Sequence, residues 1–343
     1  MPHRSEPRAH FVGRWTVTLA SLATAAVVAA TALSYSLAAT APPPATKLET
    51  APVDLLAIPA EIAAPVALYR DAFLGVGSPT HLLATGGTFE TRRIGAGRLV
   101  YDRYCVGCHG AAGDGVGVAE RFLSPKPRNF QFGIFKFATT PNGSKPTRDD
   151  LFSTVTRGLA GSSMPEFRLL PESDRWNVVE YVRYLAVRGE FDRYLVTAFE
   201  QDAEEPNEDL ARAAAETVLS RWSPLDLRPV YPSTPEPALT EETVAAGKTI
   251  YDDAKRSQCA SCHGPLGRGD GPDVDNFTDA WGYKLRPRDF TRGVFRGGNK
   301  PGDLWLRIAN GIQGSPMPAY GSALTSDEIW QVVHYVQRLA GQR

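Results

Sequence analysis

Residues 15–40 read WTVTLASLATAAVVAATALSYSLAAT, a run of 26 residues with no charge. About 20 apolar residues span a bilayer as a helix, and a cleavable secretory signal has a shorter apolar core of about 7 to 15. The run therefore predicts a retained transmembrane anchor, with Ser36-Leu37-Ala38 keeping open the alternative of a cleaved signal. Residues 1–14 carry Arg4, Arg8 and Arg14 against Glu6, which predicts a cytoplasmic basic flank and an exported remainder. Next comes the proline-rich APPPATKLETAP, a spacer, and then a stretch over 55–94 that reads as an extended arm or a short packing segment; together they make 41–95 an arm with no assigned motif. Further on, apolar positions recur at helical spacing in two similar places. Trp176, Val179 and Val182 do so in DRWNVVEYVRYLA, and Trp330, Val333 and Val336 in EIWQVVHYVQRLA. Additional helices are expected over 97–104, over 148–159 with Thr147 as N-cap, and over 207–221. Gly, Pro, Asn and Asp fill the stretches between, so loops are expected there rather than strands. The predicted fold class is all-α.

From residue 96 the chain repeats itself. GRLVYDRYCVGCHG parallels GKTIYDDAKRSQCASCHG, with Gly97 and Tyr101 matching Gly247 and Tyr251 and four extra residues before Cys259. PRNFQFGIFKF parallels PRDFTRGVFRG, and LFSTVTRGLAGSSMPEF parallels LWLRIANGIQGSPMPAY. Two homologous helical domains are expected, over 96–195 and 243–343, joined by a linker over 196–242.

Charge refines this picture and removes one class of partner. The formal net charge is −1, unevenly spread: 196–242 holds 11 acids against 3 bases, and 96–195 holds 14 bases against 11 acids. Nucleic-acid binding has no global electrostatic support. One local run, KLRPRDFTRGVFRGGNK over 284–300, has six bases and one acid. It reads as a solvated surface, with a docking patch for an acidic redox partner, or internal pairing with the acidic linker, as alternatives.

All four cysteines lie in the two repeat-matched motifs CVGCH and CASCH: Cys105, Cys108 and His109, then Cys259, Cys262 and His263. Two thiols two residues apart can both add to haem vinyl groups while the adjacent imidazole reaches the iron. A zinc site wants its cysteine pairs about 15 to 20 residues apart, a thioredoxin-like dithiol wants a βαβ setting, and disulfides are possible in an exported chain. None of the three explains a histidine after each pair, so two covalently bound haem c groups are expected. Neither His81, outside both repeats, nor His334, matched by Glu180, is a good ligand candidate.

With these motifs the chain resembles a tandem of class I c-type cytochrome domains, over 96–190 and 246–341. In that family a helix bearing a glycine and an aromatic leads into CxxCH, and a loop methionine completes the iron coordination. The resemblance thus implies Met164 in SSMPEF and Met317 in SPMPAY as axial ligands opposite His109 and His263. Apart from the initiator they are the only methionines in the chain, whereas core-filling methionines would be more scattered. It further implies a proline carbonyl holding each proximal histidine and a basic side chain meeting a haem propionate. Pro127 with Arg128, and Pro287 with Arg288, offer these. The repeat-matched Tyr101, Tyr251, Trp176 and Trp330 are expected to pack the core rather than relay electrons.

Histidine–methionine ligation raises a haem's reduction potential and fills the sixth position, which disfavours chemistry at the iron. The expected function is a membrane-anchored dihaem electron carrier on the periplasmic face of a bacterial inner membrane, passing single electrons between a donor and an acceptor of the respiratory chain. Three alternatives stay open: a dihaem peroxidase, a thiosulfate dehydrogenase type of enzyme, and the cytochrome subunit of a larger respiratory complex. Matching Met-Pro loops in both domains and the lack of a spare cysteine argue against the two enzymes.

Overall fold

A computed structural model of the chain describes residues 58–75, 89–223 and 228–341. Among these residues there are ten α-helices and four short 3-10 turns, with a single β-bridge between Thr278 and Lys284 and no named strand. The expected membrane segment 15–40 and its basic flank lie outside the described residues, as does His81. Among the described residues no helix is long and apolar enough to cross a membrane.

Helices α1 (Ala60–Leu74), α2 (Thr91–Tyr104), α3 (Val106–His109), α4 (Arg148–Arg157), α5 (Glu172–Asp202) and α6 (Glu208–Arg221) come from the first half of the repeat and its flanks. The second half contributes α7 (Glu241–Asp252), α8 (Cys259–His263), α9 (Pro301–Asn310) and α10 (Ser326–Leu339). In each half the helix before the cysteines crosses the closing helix at a glycine. A Cβ on Gly97 would stand 2.0 Å from the Asn177 carbonyl oxygen, and one on Gly247 would stand 1.9 Å from that of Gln331. Such contact between main chains is open only to glycine. One turn later Tyr101 meets Tyr181 edge-on at 5.2 Å and Tyr251 meets Tyr335 at 5.1 Å. The hydroxyls of Tyr101 and Tyr251 donate 2.7 Å bonds to the Gly110 and Gly264 carbonyls, just past each CxxCH. The closing helix thereby holds the leading helix, and the leading helix holds the motif. Tyr101, Tyr251 and Trp330 are buried in the cores, as expected of them.

The capping chemistry read at Thr147 is present: its hydroxyl accepts from the Asp150 amide while the Asp150 carboxylate takes the Thr147 amide. Elsewhere the helices depart from expectation. Helix α2 starts at Thr91 rather than Gly97, because Ile94 is buried and the Glu90 amide at its start donates to the Glu180 carboxylate. Of the arm over 55–94, residues 58–75 form a packing segment: α1 buries Ile62, Val66 and Leu74, Arg70 pairs with Asp192 at 2.9 Å, and the Tyr184 hydroxyl donates to the Gly75 carbonyl. Helix α5 runs past 195 to Asp202, and Phe191, Leu195 and Val196 stay buried there because α1 and α6 cover them. The helix expected at 207–221 forms as α6, with the Asn207 side chain accepting from the Leu210 amide. Trp222 follows it, fully buried, and donates 2.7 Å to Glu190, which also takes Lys145 and Arg221.

The four-residue insertion changes how the second motif is approached. Helix α2 runs directly into Cys105, whereas α7 ends at Asp252 and a loop follows, its Asp253 carboxylate accepting from the Lys255 and Arg256 amides. The loop closes on Gln258 at φ 51° before α8 begins.

Several contacts between the halves run from side chains of the second to main chain of the first. Arg307 donates 2.7 Å to the Ala138 carbonyl, Asn310 donates 3.0 Å to Thr139 and 3.2 Å to Thr140, and Gln313 donates 3.1 Å to Ser144. Trp281 donates 3.3 Å to the Asn129 carbonyl.

Candidate functional site

Each CxxCH folds as a short helical turn, so its two thiols and its imidazole leave the same stretch of backbone. The four cysteines are unpaired, so the disulfide reading falls. Among the described residues no group of three or more His, Cys, Asp or Glu side chains could hold a metal ion, which leaves the zinc reading without a ligand set. Burial pushes the Cys105 thiol up to about 12 and the Cys259 thiol up to about 11.

The imidazoles are oriented alike. His109 Nδ1 lies 3.0 Å from the Arg128 carbonyl oxygen and His263 Nδ1 3.3 Å from that of Arg288. A carbonyl only accepts, so Nδ1 carries the proton and Nε2 keeps its lone pair for a ligand partner. Burial outweighs these bonds and lowers both imidazoles, His263 to about 4, so the neutral form that can ligate is the one held. The carbonyls belong to the arginines, one residue past the prolines named from the resemblance. The Pro127 and Pro287 carbonyls turn away, against the Gly115 and Gly269 turns.

A second contact fixes each ring: Phe130 stacks on His109 at 4.5 Å and Phe290 on His263 at 4.4 Å, each backed in turn by Phe135 or Phe295. The sequence reading passed over these phenylalanines, although PRNFQFGIF and PRDFTRGVF repeat them at matched positions.

The methionine loops also match. The Leu159 amide donates to the Met164 carbonyl and the Ile312 amide to the Met317 carbonyl, both at 3.1 Å. The Met164 and Met317 amides donate to the Ser162 and Ser315 hydroxyls at 3.2 and 3.3 Å. A methionine side chain has three rotors to immobilise, so holding its backbone on both sides reduces the freedom lost on ligation.

In the second half these parts surround one cavity of about 500 Å³, lined by Cys259, Cys262, His263, Met317 and apolar side chains including Leu304 and Ile308. Arg288 and Arg296 stand in the same wall. Two thiols, an imidazole with a free Nε2, a thioether and cations around an apolar space fit haem c.

The repeat-matched arginines differ in what their side chains do. Arg288 faces its own cavity. Arg128 instead lies 3.4 Å above the Trp281 ring of the second half and 4.0 Å from Asp279, and burial lowers it to about 10. Among the described residues the ion pairs of the basic run over 284–300 lie within its own half, Arg286 with Asp275 and Arg292 with Asp289, both at 3.2 Å, and none reaches the linker. His334 is buried with Nδ1 against the Thr243 hydroxyl at 2.8 Å, a packing role.

Comparison with known proteins agrees with this geometry. Residues 244–340 match the model of the cytochrome c family, and residues 92–182 match that of the cytochrome c oxidase, cbb3-type, subunit III family. A chain of the Kuenenia stuttgartiensis reducing HAO-like protein complex Kustc0457/Kustc0458 is 37% identical, with a TM-score of 0.57, over 71% of this chain and 95% of that one. No curated protein matches. Cytochrome c domains carry covalently bound haem c and transfer electrons, and this chain belongs to the c-type cytochromes as a tandem of two such domains.

Proposed function

We propose that the chain is a dihaem electron carrier, anchored in a bacterial inner membrane by residues 15–40 with its cytochrome domains in the periplasm, passing single electrons between redox partners. The observation that carries this reading is the matched pair of sites. Each has a CxxCH turn, an imidazole tethered through Nδ1, and a methionine loop held by a serine hydroxyl. Haem c supplies the one-electron couple. Cys105, Cys108, His109 and Met164 would hold the first group, and Cys259, Cys262, His263 and Met317 the second. With Met164 and Met317 as sixth ligands, neither group would keep an open position for a substrate, which supports a carrier over the peroxidase and thiosulfate dehydrogenase readings.

A second reading, the cytochrome subunit of a larger redox complex, differs only in how long the partner stays. It is favoured by the 37% identical relative, which is a chain of such a complex.

The test is a haem count and an optical spectrum on the purified full chain, with Met164→Ala and Met317→Ala. Two haems per chain are expected, and each substitution should remove about half of the weak long-wavelength band that marks methionine on ferric iron. A band present for one haem only, or one altered by peroxide, would sink the carrier reading. Copurification of a stoichiometric partner in mild detergent would select the complex.

A further inference from the structure

The cavity that holds Cys259, Cys262, His263 and Met317 is not walled by the second domain alone. Lys136 and Phe137, from the first domain, line it as well. Their loop is fixed from the second domain, where Arg307 reaches the Lys136 and Ala138 carbonyls, at 3.5 and 2.7 Å, and places its guanidinium 5.9 Å from the Phe137 ring. The Lys136 ammonium lies 3.1 Å from the Asp279 carboxylate, with the two side chains 14% and 7% exposed, and 5.4 Å from the centre of the Trp281 ring. An ion pair this shielded from water interacts with its surroundings through a low effective dielectric.

We propose that Lys136 is a tuning residue of the second haem site: the first domain supplies a cation and an aromatic wall to the cavity of the second, and the Lys136–Asp279 pair sets part of the second haem's reduction potential. A cation beside a redox group favours its electron-rich state and an anion disfavours it. Losing Lys136 therefore also leaves Asp279 less compensated, and both changes push the same way. The proposal rests on the reading that the second motif carries a haem.

The experiment is a spectroelectrochemical titration of the full-length holoprotein, preceded by a haem count. The variants are Lys136→Met, Lys136→Arg and Asp279→Asn. Lys126→Met is the control, since it breaks an ion pair to Glu120 of 2.7 Å within the first domain. With two haems present, Lys136→Met should move one wave to lower potential and leave the other in place. Lys136→Arg should restore that wave, and Asp279→Asn should move the same wave upward. If Lys136→Met leaves both waves in place or moves both alike, or if the control moves the same wave equally, the tuning role is wrong. Should Lys136→Met lose haem or helix content, Asp279→Asn decides, an unmoved wave overturning the proposal. A wild-type count of one haem would instead overturn the dihaem reading, and this proposal with it.

Discussion

In the first domain the closing helix runs from Glu172 to Asp202, while its counterpart in the second runs only from Ser326 to Leu339. The extra length of the first is covered by α1 and α6, sealed by the fully buried Trp222, and tied by Tyr184 and by Arg70–Asp192. The second domain has the same motif, the same glycine crossing and the same tyrosine pair, but it leans on the first through Arg307, Asn310 and Gln313 and borrows part of its cavity wall. The motif rims differ too. The first exposes Val116, Val118 and Phe122 at 63, 84 and 74%, where the second has Asp270, Pro272 and Asn276 at the matching offset of 154. A common kernel therefore sets where a cofactor binds, and its surroundings decide how much support each domain has and what it shows a partner.

The largest test of this contrast is Trp222→Ala, which empties a large buried site and takes one of three partners from Glu190. A loss of about 3–5 kcal/mol is expected, confined to the first domain. Urea melts followed separately at each haem would check it; equal losses at both would mean that the halves unfold as one unit and that the contrast is not energetic.

Next comes a pH effect that only the first domain should show. Burial, outweighing Arg70, raises the Asp192 carboxyl from 3.8 to about 6, so the folded state prefers the protonated form. Its stabilisation is present below pH 3.8 and is lost as pH rises through about 6. Asp192→Asn should abolish up to about 3 kcal/mol of stability change across that window. Urea midpoints compared between pH 4 and pH 7 measure it, and parallel wild-type and variant profiles would refute it.

Smallest is Tyr184→Phe, which removes the hydroxyl that tethers Gly75 and should cost about 1 kcal/mol. The same melts would show it at the first haem only. No loss there would mean that the apolar face of α1 and Arg70–Asp192 hold it without the Gly75 tether.

Much of this was legible in the sequence where the signal was local or repeated. CxxCH, the Thr147 cap and the closing-helix stripe each lie within a few residues. The doubled segments marked Gly97 with Gly247 and Tyr101 with Tyr251 as a shared frame before any helix was placed. What escaped depends on contacts far apart in the chain. That α1 would pack on the extension of α5 is not written in an alanine-rich stretch without a motif, and Asp192 declares no partner more than a hundred residues upstream. The carbonyl that holds each histidine shifted by one residue because sequence names residues and leaves open which way a peptide plane faces. Arg128 and Arg288 look equivalent in PRNF and PRDF, yet one crosses to the other domain because Trp281, without a repeat partner, offers it a ring.

Arg307, Asn310 and Gln313 grip the first domain by its peptide carbonyls. A grip of that kind is blind to the side chains on the gripped loop, since every residue presents the same oxygen. The grip thus makes no demand of its own on the side chains at 138–140 and 144, and what constrains Thr139 and Thr140 is internal to the first domain, their hydroxyls donating to Asp150 and to the Lys145 carbonyl. The side chains that the first domain commits to the joint lie elsewhere, at Lys136 on Asp279 and Arg128 over Trp281, so the two domains are held from both sides by different kinds of contact.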